Sequence, residues 1–427
     1  YDLYDLGEFQ QQGTIGTKYG TREQYLTAIE TLRSVGIQVY ADAVLNHKDG
    51  ADATERIRAT PYLKNNRLKC CGRLQPVEAY TCFTFPGRNG KYSPMQWNWQ
   101  HFDAVNYNHL KPDEHNLVYL LEGKSFDNFV SLEKENYAFL WGCDLDVENP
   151  AVRAELVEWG KWYLDTTGVD GFRLDAIKHI SSWFFADWID QMRQHAQRNL
   201  FFVGEYWSAD LDTLNWYLDA MGRRMSVFDV PLHFNFHQAS RSSGSYDMRR
   251  ILDNTLMQRQ PTFAVTFVDN HDSQPLQTLE SVVESWFKPL AYAIILLRRE
   301  GYPCVFYADY YGAHYIDRGS EIWLDCHRWL IDKFLYARKH YAHGGQIDYF
   351  DHPDLVGWTR LGNETHPQGM AVLLSDGNGG SKWMNVGKSN STFIDLTERV
   401  LKPIQTNEWG WGEFFCLGGS VSVWVQA

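Results

Sequence analysis

Short apolar runs rich in Val, Ile and aromatic residues alternate along much of the chain with stretches of helical period. Arg22–Val35 reads as a helix: Tyr25, Ile29 and Leu32 fall at spacings of four and three, and Gly36 follows as a stop. Residues 37–45 read as a buried strand. The alternation resumes with a helix at Val152–Thr166, a strand at Val169–Leu174, a helix at Ser181–Gln197 and a strand at Leu200–Gly204. It continues with a helix at Ser208–Leu218, a strand at Met225–Phe228, a helix at Asp247–Met257 and a strand at Phe263–Val268. A helix at Trp286–Arg299, a strand at Tyr302–Tyr307 and a last helix at Ile322–Tyr341 complete the series. Strands and helices alternating this regularly predict an α/β fold on a parallel sheet, open or closed into a barrel.

Two stretches break the rhythm. Residues 47–147 hold no clean βα unit and are dense in aromatics, Gly and Asn, as expected of a domain inserted after the strand at 37–45. Beyond about residue 342, short alternating runs such as Met370–Leu374 and Gly418–Val425 predict an antiparallel β module. The expected division is therefore 1–46 and 148–341 for the α/β body, 47–147 for the insertion and 342–427 for the β module.

Composition narrows the class. The chain has 427 residues, with 40 Lys and Arg against 53 Asp and Glu, a formal charge of −13. Nucleic acid is a poor partner for so acidic a chain. The longest apolar run, Leu290–Leu297, is far short of the ~18 residues a membrane span needs, so no membrane partner is expected. The seven cysteines are an odd number, and Cys70 and Cys71 are adjacent. Free thiols in a reducing, cytoplasmic compartment fit this better than a disulfide scaffold, and better than zinc held by Cys70, Cys71 and Cys82. Aromatic residues make up 15 % of the chain, for which packing is the expected main use, Trp97, Trp99 and Trp141 included.

Four segments place polar residues at the C-terminal ends of predicted strands, where a parallel barrel keeps its active site. They are Asp42–His47, Gly171–Asp175, Gly204–Trp207 and Phe267–Asp272. Arg173 and Asp175 are two apart on a strand and share a face, so the guanidinium is expected to keep Asp175 ionised, as a nucleophile requires. Glu205 ends the next strand, and Asp272 ends another with His271 beside it. Carboxylates gathered at one rim repel one another, and one of them is expected to hold its proton and serve as an acid. A carboxylate nucleophile paired with a carboxylic acid is the machinery of glycoside hydrolysis.

With the second extended to His179, these four segments, in this order, resemble the short motifs of the glycoside hydrolase family 13 α-amylases, liquefying bacterial type. Residues 1–9 (YDLYDLGEF), 17–21 (TKYGT), 286–293 (WFKPLAYA), 350–352 (FDH) and 418–423 (GGSVSV) extend the likeness over essentially the whole chain. The resemblance implies a (β/α)8 TIM barrel with an inserted domain after the third strand and a C-terminal antiparallel β domain. It also implies retaining endo-hydrolysis of α-1,4-glucosidic bonds in starch, glycogen and maltodextrins. Asp175 is similar to the family's nucleophile, Glu205 to its general acid/base and Asp272 to its transition-state stabiliser. The resemblance implies that Arg173 orients the nucleophile, that His47 and His271 bond sugar hydroxyls, and that Lys178, His179 and Trp207 line the leaving-group side. The expected partner is an α-glucan polysaccharide or maltooligosaccharide, and the expected state a monomer. Two alternatives stay open: a maltodextrin hydrolase or transglycosylase of the same family, and a truncated, noncatalytic glucan-binding protein.

The resemblance further implies calcium, with Asn46, Asp144 and the backbone oxygen of His179 as ligands and Asp103, Asp127 and Asp146 in a neighbouring cluster. Carboxylate, amide and carbonyl oxygens suit that hard cation. Ala138 stands where the family has an aspartate ligand, which is expected to weaken the site. The likeness begins inside the barrel: Tyr1 matches the loop after the second strand, so the first two strands and the first helix of the family's barrel are missing from this sequence. A fragment of a longer product and a truncated protein both account for that.

Overall fold

The computed structural model describes residues 1–427. They form two compact units, residues 1–207 with 215–226, and residues 208–214 with 227–427.

In the first unit, helix α1 (Arg22–Ser34) starts at Thr21, whose hydroxyl and the Gln24 side chain cap each other's backbone N–H groups. It leads to strand β1 (Tyr40–Ala43). After the insertion come α2 (Pro150–Thr167), β2 (Gly171–Leu174), α3 (Ser182–Ala196) and β3 (Phe201–Gly204). β2 lies between β1 and β3, parallel to both, with Arg173 opposite Asp42 on one side and Val203 on the other. Gly171 is required by the close approach of β3: a Cβ there would stand 1.9 Å from the Phe201 carbonyl oxygen. Phe172, Leu174, Trp188 and Phe202 are buried where α3 covers the strands. The insertion is a seven-stranded antiparallel sheet built on the long strand Ala53–Leu63. It closes through Cys143–Leu145, whose Asp144 is registered against His47.

In the second unit, β4 (Ser226–Phe228) pairs with β5 (Ala264–Phe267) through Val227 and Phe228, and β5 pairs with β6 (Tyr302–Cys304), all parallel. Helix α4 (Lys288–Leu297) is buried along its whole length and shares a core with Trp358, Val372 and Val423 of the C-terminal sheet. That sheet is antiparallel, with Met370–Ser375 between Leu355–Arg360 and Ser420–Gln426. A separate antiparallel pair, Gly379–Asn385 with Trp411–Leu417, completes the module.

Three expectations are corrected. The helix expected at Asp247–Met257 is only a 3-10 turn at Met248–Arg250 and one turn at Leu256–Arg259, because Asp247 and Thr255 cap their own following backbone and Asn254 is left-handed at φ 56°. The helix that follows β4 is instead Val230–Arg241, begun by Asp229, whose carboxylate accepts from Leu232 N at 3.2 Å and from Met257 N at 2.7 Å. The strand expected at Tyr302–Tyr307 ends at Cys304, and Tyr307–Tyr311 is helical. The helix expected from Ile322 begins at Arg328, because residues 320–324 form a hairpin with residues 313–317. Arg318 and Gly319, at φ 49° and 77°, make the two-residue turn whose twist suits a hairpin.

Candidate active site

The three strands of the first unit deliver their charged residues at one end. Parallel pairing continues one residue beyond each strand: Asp175 N donates to Ala43 O at 3.0 Å and Glu205 N to Leu174 O at 2.9 Å. The backbones that carry both carboxylates are therefore fixed before any side chain acts. Ala176, directly after Asp175, is left-handed at φ 53°, a costly conformation for alanine, and turns the chain sharply into Ile177–His179. Ile177 N closes that turn on Glu205 O at 3.2 Å.

Arg173 is the hub. Its Nη1 donates to Asp175 Oδ1 at 2.6 Å and to Asp42 Oδ1 at 2.8 Å, and its Nη2 lies 3.0 Å from Glu205 Oε2. Burial works against the guanidinium's charge, but Asp42, Glu205 and Asp175 outweigh it and raise its pKa above the ordinary arginine value. The sequence paired Arg173 with Asp175 alone. Asp42 was missed, although its place opposite Arg173 follows from the register of two adjacent strands.

His47 stands within reach of the same group of charges. Burial lowers its pKa, and the opposing pull of Asp175 is the smaller effect, so the ring is neutral near neutral pH. Its Nδ1 is 3.3 Å from Asn46 Oδ1. His179 is more deeply buried, its pKa lowered to about 3, and it spends Nδ1 on the Tyr137 carbonyl at 2.6 Å. Lys178 is buried and donates to both oxygens of Glu133, at 2.8 and 3.0 Å, and to the Trp207 carbonyl at 2.9 Å. Lys178 thus braces the backbone of Trp207. Glu133 is a second residue the sequence did not signal, since it lies in an irregular loop 45 positions away. Trp141, expected in packing, is 51 % exposed and donates to Asp49 Oδ2 at 3.0 Å.

Asp272 and His271 belong to the second unit, just beyond β5, with His271 Nε2 3.7 Å from Asp272 Oδ2. Their loop is held by Asn270, whose Oδ1 accepts from Asp272 N at 2.9 Å and Ser273 N at 2.8 Å. Beneath it, buried Asp269 accepts from Ser273 Oγ at 2.9 Å and lies 3.0 Å from Lys288 Nζ. Lys288 also binds Asp309, which accepts from Tyr292 OH at 2.6 Å. His233 stacks on Phe267 and bonds both Val268 O and Ser281 Oγ.

The proposed metal donors are all buried: Asn46, Asp103, Asp127, Asp144 and Asp146. Asn46 Nδ2 faces three oxygens, Asp144 Oδ1 at 3.3 Å, His179 O at 3.4 Å and Ala138 O at 3.5 Å, long contacts for an amide donor. Burial, reinforced by Asp144, Asp146 and Asp127, pushes Asp103 up to about 10. Lys124 binds Asp146 at the edge of this cluster. No three His, Cys, Asp or Glu side chains converge on one point, so any ion here needs amide and main-chain oxygens as well. All seven cysteines are free, Cys70, Cys71 and Cys82 included. No helix is long and apolar enough to cross a membrane.

The family model for the alpha amylase catalytic domain matches residues 2–326. The chain is 50 % identical to an alpha-amylase of Geobacillus stearothermophilus, over its whole length and 77 % of that protein. It is 49 % identical to a glucan 1,4-alpha-maltohexaosidase of Bacillus sp. strain 707, covering all of this chain and 82 % of that one. With the cytoplasmic alpha-amylase of Escherichia coli K12 it shares 42 % identity over all of this chain and 87 % of that protein. In fold it is similar to the Geobacillus thermoleovorans alpha-amylase solved with acarbose, at a TM-score of 0.63 and 15 % identity, over all of this chain and 83 % of that one. Matched along three quarters of its length by the family model and end to end by these relatives, the chain belongs to the α-amylase family of glycoside hydrolases.

Proposed function

We propose that the chain is a retaining, endo-acting α-amylase that cleaves internal α-1,4 bonds of starch, glycogen and maltodextrins. The observation that carries this reading is the single guanidinium of Arg173 bonded to both Asp175 and Glu205 at adjacent strand ends. Carboxyl groups bridged by one guanidinium fit the compact spacing, about 5 Å, of a nucleophile with its acid/base partner. In this reading Asp175 attacks the anomeric carbon while Glu205 gives its proton to the glycosidic oxygen. Glu205 then takes a proton from water, which displaces Asp175 with net retention. Asp272 stabilises the positive charge of both transition states. Neutral His47 bonds sugar hydroxyls without adding a charge, and His271 bonds them too. Lys178, His179 and Trp207 shape the leaving-group side, Lys178 by fixing Trp207.

Calcium fits the donors around Asn46. Four buried carboxylates with only Lys124 and Arg67 near them are short of countercharge, and the three oxygens facing Asn46 are hard donors. Asn46, Asp144 and the His179 carbonyl would hold the ion, with Asp103, Asp127 and Asp146 beside it. Bound there it supplies charge that clamps the insertion to β1 and β2. Ala138 keeps its carbonyl but offers no carboxylate, so binding is weaker than with aspartate. Free cysteines support a reducing, cytoplasmic setting. The antiparallel sheets within residues 47–145 and 346–426 support the division 1–46, 47–147, 148–341 and 342–427. Incubating Glu205→Gln with a 5-fluoro maltosyl fluoride tests the chemistry. A stable glycosyl adduct on the peptide holding Asp175 is expected, and an adduct on another residue overturns the assignment.

A further inference from the structure

β5 and β6 are parallel, with Phe267 registered against Cys304, so the segments that follow them leave the second unit at the same end. The first carries Asp272. The second carries the hairpin of residues 313–317 and 320–324. The hairpin is tied to the Asp272 loop: Tyr315 OH donates to Pro275 O at 2.6 Å and Gln277 Nε2 to Asp317 Oδ2 at 3.1 Å.

Its two faces differ. Ala313, Tyr315, Ile322 and Leu324 are half-buried, while His314, Ile316, Glu321 and Trp323 alternate with them and point to solvent. On that outer face Trp323 lies opposite His314 across the strands. The rings stack at 3.9 Å and 18°, and His314 Nε2 is 2.8 Å from Glu321 Oε1. One indole face is backed by the imidazole, yet Trp323 remains 70 % exposed. The result is a rigid ring with an open face beside a hydrogen-bonding pair.

We infer that Trp323, backed by His314, is a sugar-stacking platform for an α-glucan chain running past the Asp272 loop, an accessory subsite on the second unit. The inference rests on the α-glucan reading above. A pyranose has an apolar face that lies on an indole, with its hydroxyls at the rim left free to bond water or polar neighbours. One indole and Ile316 are far too small for a protein interface, which needs about 800 Å² on each partner. A single sugar of a glucan chain, by contrast, needs only a ring-sized contact. The hairpin's tight turn and its two ties to the Asp272 loop hold the ring in place beforehand.

The test is affinity electrophoresis of the full chain through gels of increasing soluble starch, in the Glu205→Gln background so that substrate is not consumed. Trp323→Ala is expected to weaken retardation about five- to tenfold, the effect of losing one aromatic stack, and Trp323→Phe to restore most of it. Equal retardation of Trp323→Ala and its parent overturns the platform, as does a parent that starch does not retard. Reducing-end release by the protein with Glu205 intact separates this from the enzymatic reading. Turnover with Trp323→Ala indifferent in binding refutes the platform alone. Trp323-dependent binding without turnover refutes the amylase reading alone.

Discussion

Replacing Lys288 with methionine isolates the charge that anchors the Asp272 loop. The side chain is buried, and methionine nearly preserves its length and volume, so packing changes little. What is lost is the only ammonium between Asp269 and Asp309, whose side chains are each 1 % exposed. Breaking a buried pair on one side costs about 3–5 kcal/mol, because the partner charge is left uncompensated. At about 2–4 °C per kcal/mol, the melting temperature should fall by roughly 6 to 20 °C at pH 7. Burial already pushes Asp269 up to about 6, with Lys288 the main restraint on it. Without that restraint its folded pKa rises further. A carboxyl whose folded pKa is raised binds a proton that the unfolded chain has released, so its contribution to stability declines as pH climbs from about 4 through the folded value. The deficit of Lys288→Met relative to wild type should therefore shrink as the pH is lowered from 7 to 5. Calorimetry or circular dichroism at both pH values reads this. Adding Asp309→Asn to Lys288→Met should recover part of the loss. A variant melting within about 2 °C of wild type at pH 7, or a deficit independent of pH, refutes the reasoning.

Arg173→Lys keeps one positive charge but cannot serve Asp42, Asp175 and Glu205 in one plane. Starch hydrolysis should drop by about a hundredfold or more with the circular dichroism spectrum preserved, and a loss under about tenfold contradicts the hub role. Calcium at a hundred times its dissociation constant should add about 2.7 kcal/mol of stability, seen as a higher melting temperature that chelator reverses and Asp144→Asn removes. A melting curve indifferent to chelator eliminates the metal. Thiol titration of the denatured, unreduced protein should count all seven cysteines, and a count of five or fewer contradicts the reduced state.

The α/β alternation was legible because buried parallel strands are short continuous apolar runs, and Phe172, Leu174, Phe202 and Phe267 all proved buried. The family motifs were legible because they occupy strand ends, where backbone pairing fixes Asp175 and Glu205. Cross-strand partnership was harder to see. Asp42 becomes a partner of Arg173 only once β1 is registered on β2. Glu133 meets Lys178 only through an irregular loop. Residues 322–324 continue the helical pattern of 328–340 in sequence, but the Arg318–Gly319 turn draws them into a hairpin. The run Asp247–Met257 failed as a helix because its polar residues bond their own backbone, a competition that hydrophobic periodicity does not register.

The most direct test of the whole account is reducing-end release from soluble starch by this chain beside Asp175→Asn and Glu205→Gln. Steady release by the wild-type sequence, abolished in both variants with melting curves intact, is the predicted result. Near-wild-type rates in either variant would contradict the assignment of nucleophile and acid.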